Sequence, residues 1–201
     1  MKLYNANSGN TKRVRIFIAE KGIDIPRVDL ELGVDTRAPQ FLKINPLGEV
    51  PVLELDDGQI ITESLAVCRY LEAAFPEPSL MGRDPAEQGH IEMWSQRIYG
   101  QLFMTYGLLV RHSIPLFAEV VDQIPAFAES LKAAIPGKWS WLETEMADGR
   151  AFIAGNTFSM ADVQAMTVLW IADALKLPIP AHCHHATRWA AAMRSRPSWN
   201  A

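Results

Sequence analysis

Residues 45–52 read Asn-Pro-Leu-Gly-Glu-Val-Pro-Val, and Glu63-Ser64 follows eleven residues later. The first segment is a turn that delivers Val50 and Pro51 to the mouth of a strand, Val52–Leu55. Only X–Pro bonds reach the cis form at low cost, so Val50–Pro51 is a candidate cis peptide. The proline ring also withholds one ladder donor and leaves the backbone of Val50 facing outward. An edge of that kind pairs with the backbone of a short peptide by strand addition. The second segment opens a helix, and free N–H groups with a hydroxyl at a helix start receive a carboxylate. Taken alone, Thr62 or Ser64 there reads as a simple cap. Set beside Val50-Pro51 at this spacing, the pair predicts a site for a small, peptide-like ligand.

The elements that must position these residues alternate over the first 75 positions. Lys2–Tyr4 reads as a strand. Thr11–Lys21 reads as a helix, with Val14, Phe17 and Ile18 on one face and Gly22 as its stop. Val28, Leu30 and Leu32 alternate through a second strand, and Pro39–Ile44 is helix-like or irregular. Asp57-Gly58 signals a hairpin between Val52–Leu55 and Gln59–Ile61. Phe75-Pro76-Glu77-Pro78, Gly82 and Pro85 then punctuate the chain as a linker. Beyond it the pattern is helical. Ile91, Trp94, Ile98, Leu102, Thr105 and Leu109 form one stripe; Tyr99, Phe103, Tyr106 and Val110 form another. The second stripe is either a broader core or the wall of a pocket or partner contact. Ser159-Met160-Ala161-Asp162 has the spacing of a capping box, which assigns Ser159 and Asp162 a structural role. The expected domains are 1–76, a linker 77–84, and a helical domain 85–201.

Composition narrows the function classes. With 49% hydrophobic and 21% charged residues, the chain has the make-up of a soluble globular protein. A net charge of −4 spread over both signs gives no basic footprint for nucleic acid. Apolar runs fall far short of the roughly 20 residues that span a bilayer, so no membrane partner is expected. The strand pattern begins at once, leaving no room for a secretion signal, and a cytoplasmic location is expected. Cys68 and Cys183 are too few for a disulfide framework. His182-Cys183-His184-His185 has a metal-like composition, but adjacent residues do not converge on a tetrahedral ion, so it reads as loop-to-helix entry and no metal is expected.

Tyr4, Val14-Arg15, Asn45-Pro46-Leu47-Gly48-Glu49-Val50-Pro51, Glu63-Ser64-Leu65-Ala66-Val67 and Arg69-Tyr70-Leu71, with Phe152-Ile153-Ala154-Gly155 and the Ser159–Asp162 box, resemble cytosolic glutathione transferases over essentially the whole chain. The resemblance implies a thioredoxin-like α/β N-terminal domain, an all-α C-terminal domain, a homodimer, and glutathione as co-substrate. It implies glutathione contacts at Arg37, Val50, Pro51, Glu63 and Ser64, with Arg37 either near the glycyl carboxylate or a solvated surface side chain. Glu49 stands where glutamine or lysine is often found, and an acid there disfavours direct contact with that carboxylate.

The resemblance also places the glutathione sulfur beside the loop before the first helix. A free thiol of pKa about 8.5 must be held as thiolate to react. Ser8 falls where serine-type relatives carry an activating hydroxyl. Asn10 is either a supporting amide donor or the helix cap. The loop has no cysteine, which argues against a mixed disulfide through the protein's own thiol. Tyr106 is assigned to the acceptor pocket. Arg111 either steers an anionic electrophile or satisfies a helix C-terminus. Three activities follow in order: conjugation of glutathione to small, largely apolar electrophiles; glutathione-dependent disulfide or peroxide reduction; and non-catalytic ligand carriage.

Overall fold

The computed structural model describes residues 1–201, and their contacts divide them into two compact units. Met1–Leu80 with Pro197–Ala201 form the first, and Met81–Arg196 the second. This division groups 197–201 with the first unit, whereas the sequence pattern groups them with the helical domain. The 3-10 turn Pro197–Asn200 packs on the first helix of unit one. There the Lys12 ammonium donates to the backbone oxygens of Trp199 (2.5 Å) and Ala201 (2.9 Å). Arg15 Nε also donates to Ala201 O, at 3.1 Å.

The first unit runs β1 (Lys2–Asn5), α1 (Gly9–Lys21), β2 (Arg27–Asp29), α2 (Pro39–Leu42), β3 (Val52–Glu54), β4 (Ile60–Ile61) and α3 (Ser64–Ala74). Its sheet has the order β2-β1-β3-β4, with β1 parallel to β2 and antiparallel to β3, and β3 antiparallel to β4. Register pairs Leu3 with Leu53 and Tyr4 with Val52. Because successive side chains alternate across a strand, these pairs face opposite sides of the sheet. Tyr4 and Val52 join Phe41, Val50 and Ala6 in one buried cluster, with Leu30, Leu32, Ile44 and Ile60 packed at its edge. The Tyr4 and Phe41 rings meet edge to face, 5.7 Å between centroids. α1 and α3 pack on each other and bury Val14, Phe17, Val67, Cys68 and Leu71. Complete burial of such side chains is worth about 1.5–3 kcal/mol each, so this packing holds the two helices together.

The second unit is helical: α4 (Pro85–Ile98), a single π turn (Tyr99–Phe103), α5 (Met104–Ser113), α6 (Pro125–Glu145), α7 (Met160–Ala174) and α8 (His184–Arg194). Asp84 caps α4 by accepting from Ala86 and Glu87 N–H, with Pro85 at the first helical position. The stripe from Ile91 to Leu109 is buried throughout. α4 packs on α7 and α5 on α6. At the head of α7, Asp162 is wholly buried and accepts from the backbone N–H of Ile153 (2.9 Å) and Ser159 (3.0 Å), from Ser159 Oγ (3.3 Å), and from Trp189 Nε1 (2.9 Å). No helix is long and apolar enough to cross a membrane.

Candidate functional site

The turn at Asn45 is built by its own side chain. Asn45 Nδ2 donates to Glu49 O at 2.8 Å, Leu47 N–H donates to Asn45 Oδ1 at 3.3 Å, and Gly48 N–H closes the turn on Asn45 O at 2.9 Å. Gly48 has φ +64, and a Cβ there would lie 2.7 Å from Thr36 O, so the turn requires glycine on both counts. The turn leads into Val50–Pro51, whose peptide bond is cis. β3 begins only at Val52, so the backbone of Val50 lies outside the ladder while its side chain is buried in the cluster around Tyr4.

Glu63 precedes α3 with φ +64, an uncommon left-handed conformation for a residue other than glycine. Such local strain clusters at functional sites because the surrounding structure has to enforce it. Here it turns the start of α3 abruptly. No side chain caps that start, and its first intrahelical bond runs from Val67 N–H to Glu63 O. The N–H groups of Ser64, Leu65 and Ala66 therefore precede the helical ladder, where the macrodipole favours an anion.

One cleft gathers these parts: Asn10, Asn45, Glu49, Val50, Pro51, Thr62, Glu63 and Ser64 line it. Five of the residues singled out from sequence (Asn10, Val50, Pro51, Glu63 and Ser64) are thus brought together. Ser8 stands two residues before Asn10 as the N-cap of α1, with extended φ and ψ of −141° and 160°. Its Oγ accepts from Thr11 N–H at 3.3 Å, and its own N–H donates to Thr11 Oγ1 at 3.3 Å. The cap is therefore Ser8 and not Asn10, because α1 already begins at Gly9. Arg37 is exposed beside the turn, within 3.5 Å of Leu47 O, and is not among the residues lining the cleft.

Tyr106 and Arg111 belong to the second unit. The expectation that Tyr106 lines an acceptor pocket is not met: it is wholly buried and its phenol accepts from Trp139 Nε1 at 2.9 Å. Burial first of all pushes that phenol up to about 12. Its stripe-mates Tyr99 and Phe103, stacked 5.4 Å apart, remain half-buried. A single π turn spans Tyr99–Phe103, directly before the α-helix that carries Tyr106. Arg111 is exposed in the last turn of α5. In the His182–His185 segment, His182 Nε2 pairs with Ser140 Oγ at 2.8 Å, and the N–H groups of His185 and Ala186 donate to the Glu143 carboxylate at 3.0 Å each.

Sequence reading missed Arg13. Its side chain is 1% exposed, and one guanidinium nitrogen donates both to Asn10 Oδ1, at 2.9 Å, and to Ser64 Oγ. The available signal was its place three residues after Asn10, on the same face of α1.

Residues 3–79 match the model of the glutathione S-transferase N-terminal domain, and residues 92–200 that of the C-terminal domain. The chain is 33% identical to glutathione S-transferase 2 of Saccharomyces cerevisiae over 98% of its own length and 87% of that protein's. Its fold superposes on a glutathione S-transferase domain-containing protein of Marinobacter aquaeolei VT8 with a TM-score of 0.90, at 34% identity, covering 99% of this chain and 100% of that one. Gtt2 from Saccharomyces cerevisiae gives the same TM-score at 32% identity, covering 100% and 99%. Similarity of another kind reaches a probable elongation factor 1-gamma 2 of Arabidopsis thaliana, 33% identical over 81% of this chain but only 38% of that protein. The matched domains cover nearly all of the sequence, and the chain belongs to the glutathione S-transferase family.

Proposed function

We propose that the cleft binds glutathione and activates its thiol for transfer to small, largely apolar electrophiles. The observation that carries this reading is the convergence of the left-handed Glu63, the uncapped start of α3, Val50 and Asn10 on one cleft. The γ-glutamyl carboxylate takes the first-turn N–H groups of α3 and the Ser64 hydroxyl. The cysteinyl backbone pairs with Val50 by strand addition, which directs the sulfur toward the start of α1. Arg37, next to the turn, serves the glycyl end.

Lowering a thiol pKa by two units takes about 2.7 kcal/mol of preference for the anion. A hydrogen bond to a charged group supplies about 1.5–3 kcal/mol and a helix start up to about 1 kcal/mol. Ser8, Asn10 and the head of α1 reach that total together without a general base. The hydroxyl inventory supports Ser8. Thr11 commits its single proton to Ala6 O or Ser8 O, while Ser8 Oγ accepts from Thr11 N–H. The Ser8 proton is thereby left to Thr11 Oγ1, 3.0 Å away, or to an incoming thiolate.

Ultraviolet difference titration of bound glutathione tests the reading. The expected result is a thiolate that forms about two units below the free thiol. Binding with an unshifted thiol would replace transfer by ligand carriage, and no binding at all would remove the glutathione reading of the cleft. Product analysis separates transfer from reduction, since a thioether marks the first and oxidised glutathione the second. The reading carries a homodimer with it, and sedimentation at the mass of a single chain would remove that part.

A further inference from the structure

Arg13 belongs to no surface and lines no cleft, yet it touches two residues that do. One of its nitrogens carries two protons, and they go to Asn10 Oδ1 and Ser64 Oγ. Both acceptors are ambivalent groups. An amide presents either its oxygen or its NH2 group, and a hydroxyl either accepts or donates. Arg cannot be deprotonated and accepts nothing, so whatever it binds must offer an oxygen lone pair. Asn10 is therefore held with its oxygen toward α1 and its NH2 group free to face the cleft. Ser64, accepting from behind, turns its proton forward.

We propose that Arg13 is a positioning residue that sets the hydrogen-bond polarity of the cleft, making both Asn10 and Ser64 donors to an anionic ligand. The inference rests on the glutathione reading of the cleft. It assigns Asn10 to the thiolate end and Ser64 to the carboxylate end, and makes one buried charge responsible for the orientation of both.

The test is a double-mutant cycle on the thiol pKa of bound glutathione, with Asn10→Ala, Arg13→Met and their combination, alongside Asn10→Asp. Affinity for S-methylglutathione, which has no thiol, reads the carboxylate end separately. In the wild-type background Asn10→Ala is expected to raise the bound thiol pKa by about one unit. In the Arg13→Met background the same change should have little further effect, because the amide is no longer held donor-outward. Arg13→Met should also weaken S-methylglutathione at least tenfold. An equal Asn10→Ala shift in both backgrounds overturns the proposal. If Arg13→Met does not fold, as judged by circular dichroism, Asn10→Asp decides alone. Asn10 is exposed, and the aspartate would keep the Arg13 bond while presenting oxygen where the amide presents N–H. The bound thiol pKa must then rise further than in Asn10→Ala, and a smaller rise overturns the proposal. A wild-type chain that binds no glutathione overturns this inference and the proposed function together. Wild-type binding with a lowered thiol pKa, joined to a failed cycle, overturns the inference alone.

Discussion

Ser8 combines two tasks that a single substitution would disturb together. Its side chain caps α1 through Thr11 N–H, and removing such a cap typically costs about 0.5–2 kcal/mol. Under the proposed function the same hydroxyl donates to the thiolate. Ser8→Ala is therefore expected to lower the unfolding free energy by about that cap value and to raise the thiol pKa of bound glutathione. Ser8→Thr, which retains both the cap and the proton, should change neither greatly. Urea unfolding and the thiol titration, run on both variants, separate the tasks. A destabilised Ser8→Ala protein whose bound thiol titrates as in the wild type would leave Ser8 a cap and nothing more. The sequence pointed at Ser8 by its place in the loop, and at Val50, Pro51, Glu63 and Ser64 by a pattern of residue types. Arg13 was not visible that way, because an arginine in a polar-looking helix reads as solvated until the packing of α1 on α3 buries it.

At the scale of elements, the head of α7 shows how one buried carboxylate ties segments together. Asp162 reaches Ile153, Ser159 and Trp189, which lie before α7, at its cap and on α8. Burial pushes its carboxyl up from 3.8 to about 6, against the opposing pull of these donors. A group whose pKa is raised by folding contributes stability that is fully present below its unfolded value and lost as pH rises through the folded one. Relative to Asp162→Asn, the wild type should therefore lose part of its stability advantage between about pH 4 and pH 6, measured by denaturant unfolding across that range. An advantage that instead grew over this interval would show that the four donors, not burial, dominate. The spacing of Ser159 and Asp162 alone sufficed to identify the cap. That Trp189 and Ile153 share the same carboxylate depends on how α7 meets its neighbours, which no local spacing encodes. Likewise, the α8 start is held by Glu143 of α6, a partner 42 residues from His185.

For the whole molecule, the two cysteines give a direct check on packing. Both are buried. Burial is the chief cause that holds the Cys68 thiol up to about 12, and it raises Cys183 as well. The thiolate is the reactive form, so neither should react with a disulfide reagent in the native protein; labelling should follow the rate of unfolding in denaturant. Rapid labelling of either thiol without denaturant would mean that its unit opens locally. By itself the sequence determined the order of strands and helices over the first 75 residues, the turn at Asn45–Gly48, the cap at Ser159 and the family. Each of these depends on residue types at short spacing, where backbone sterics and hydrogen-bond chemistry act directly. Only the tertiary structure decided that Tyr106 is core, that residues 197–201 return to α1, and that Arg13 lies between Asn10 and Ser64. These depend on which buried faces meet across long separations in the chain, and side-chain burial and donor geometry exist only once those faces have packed.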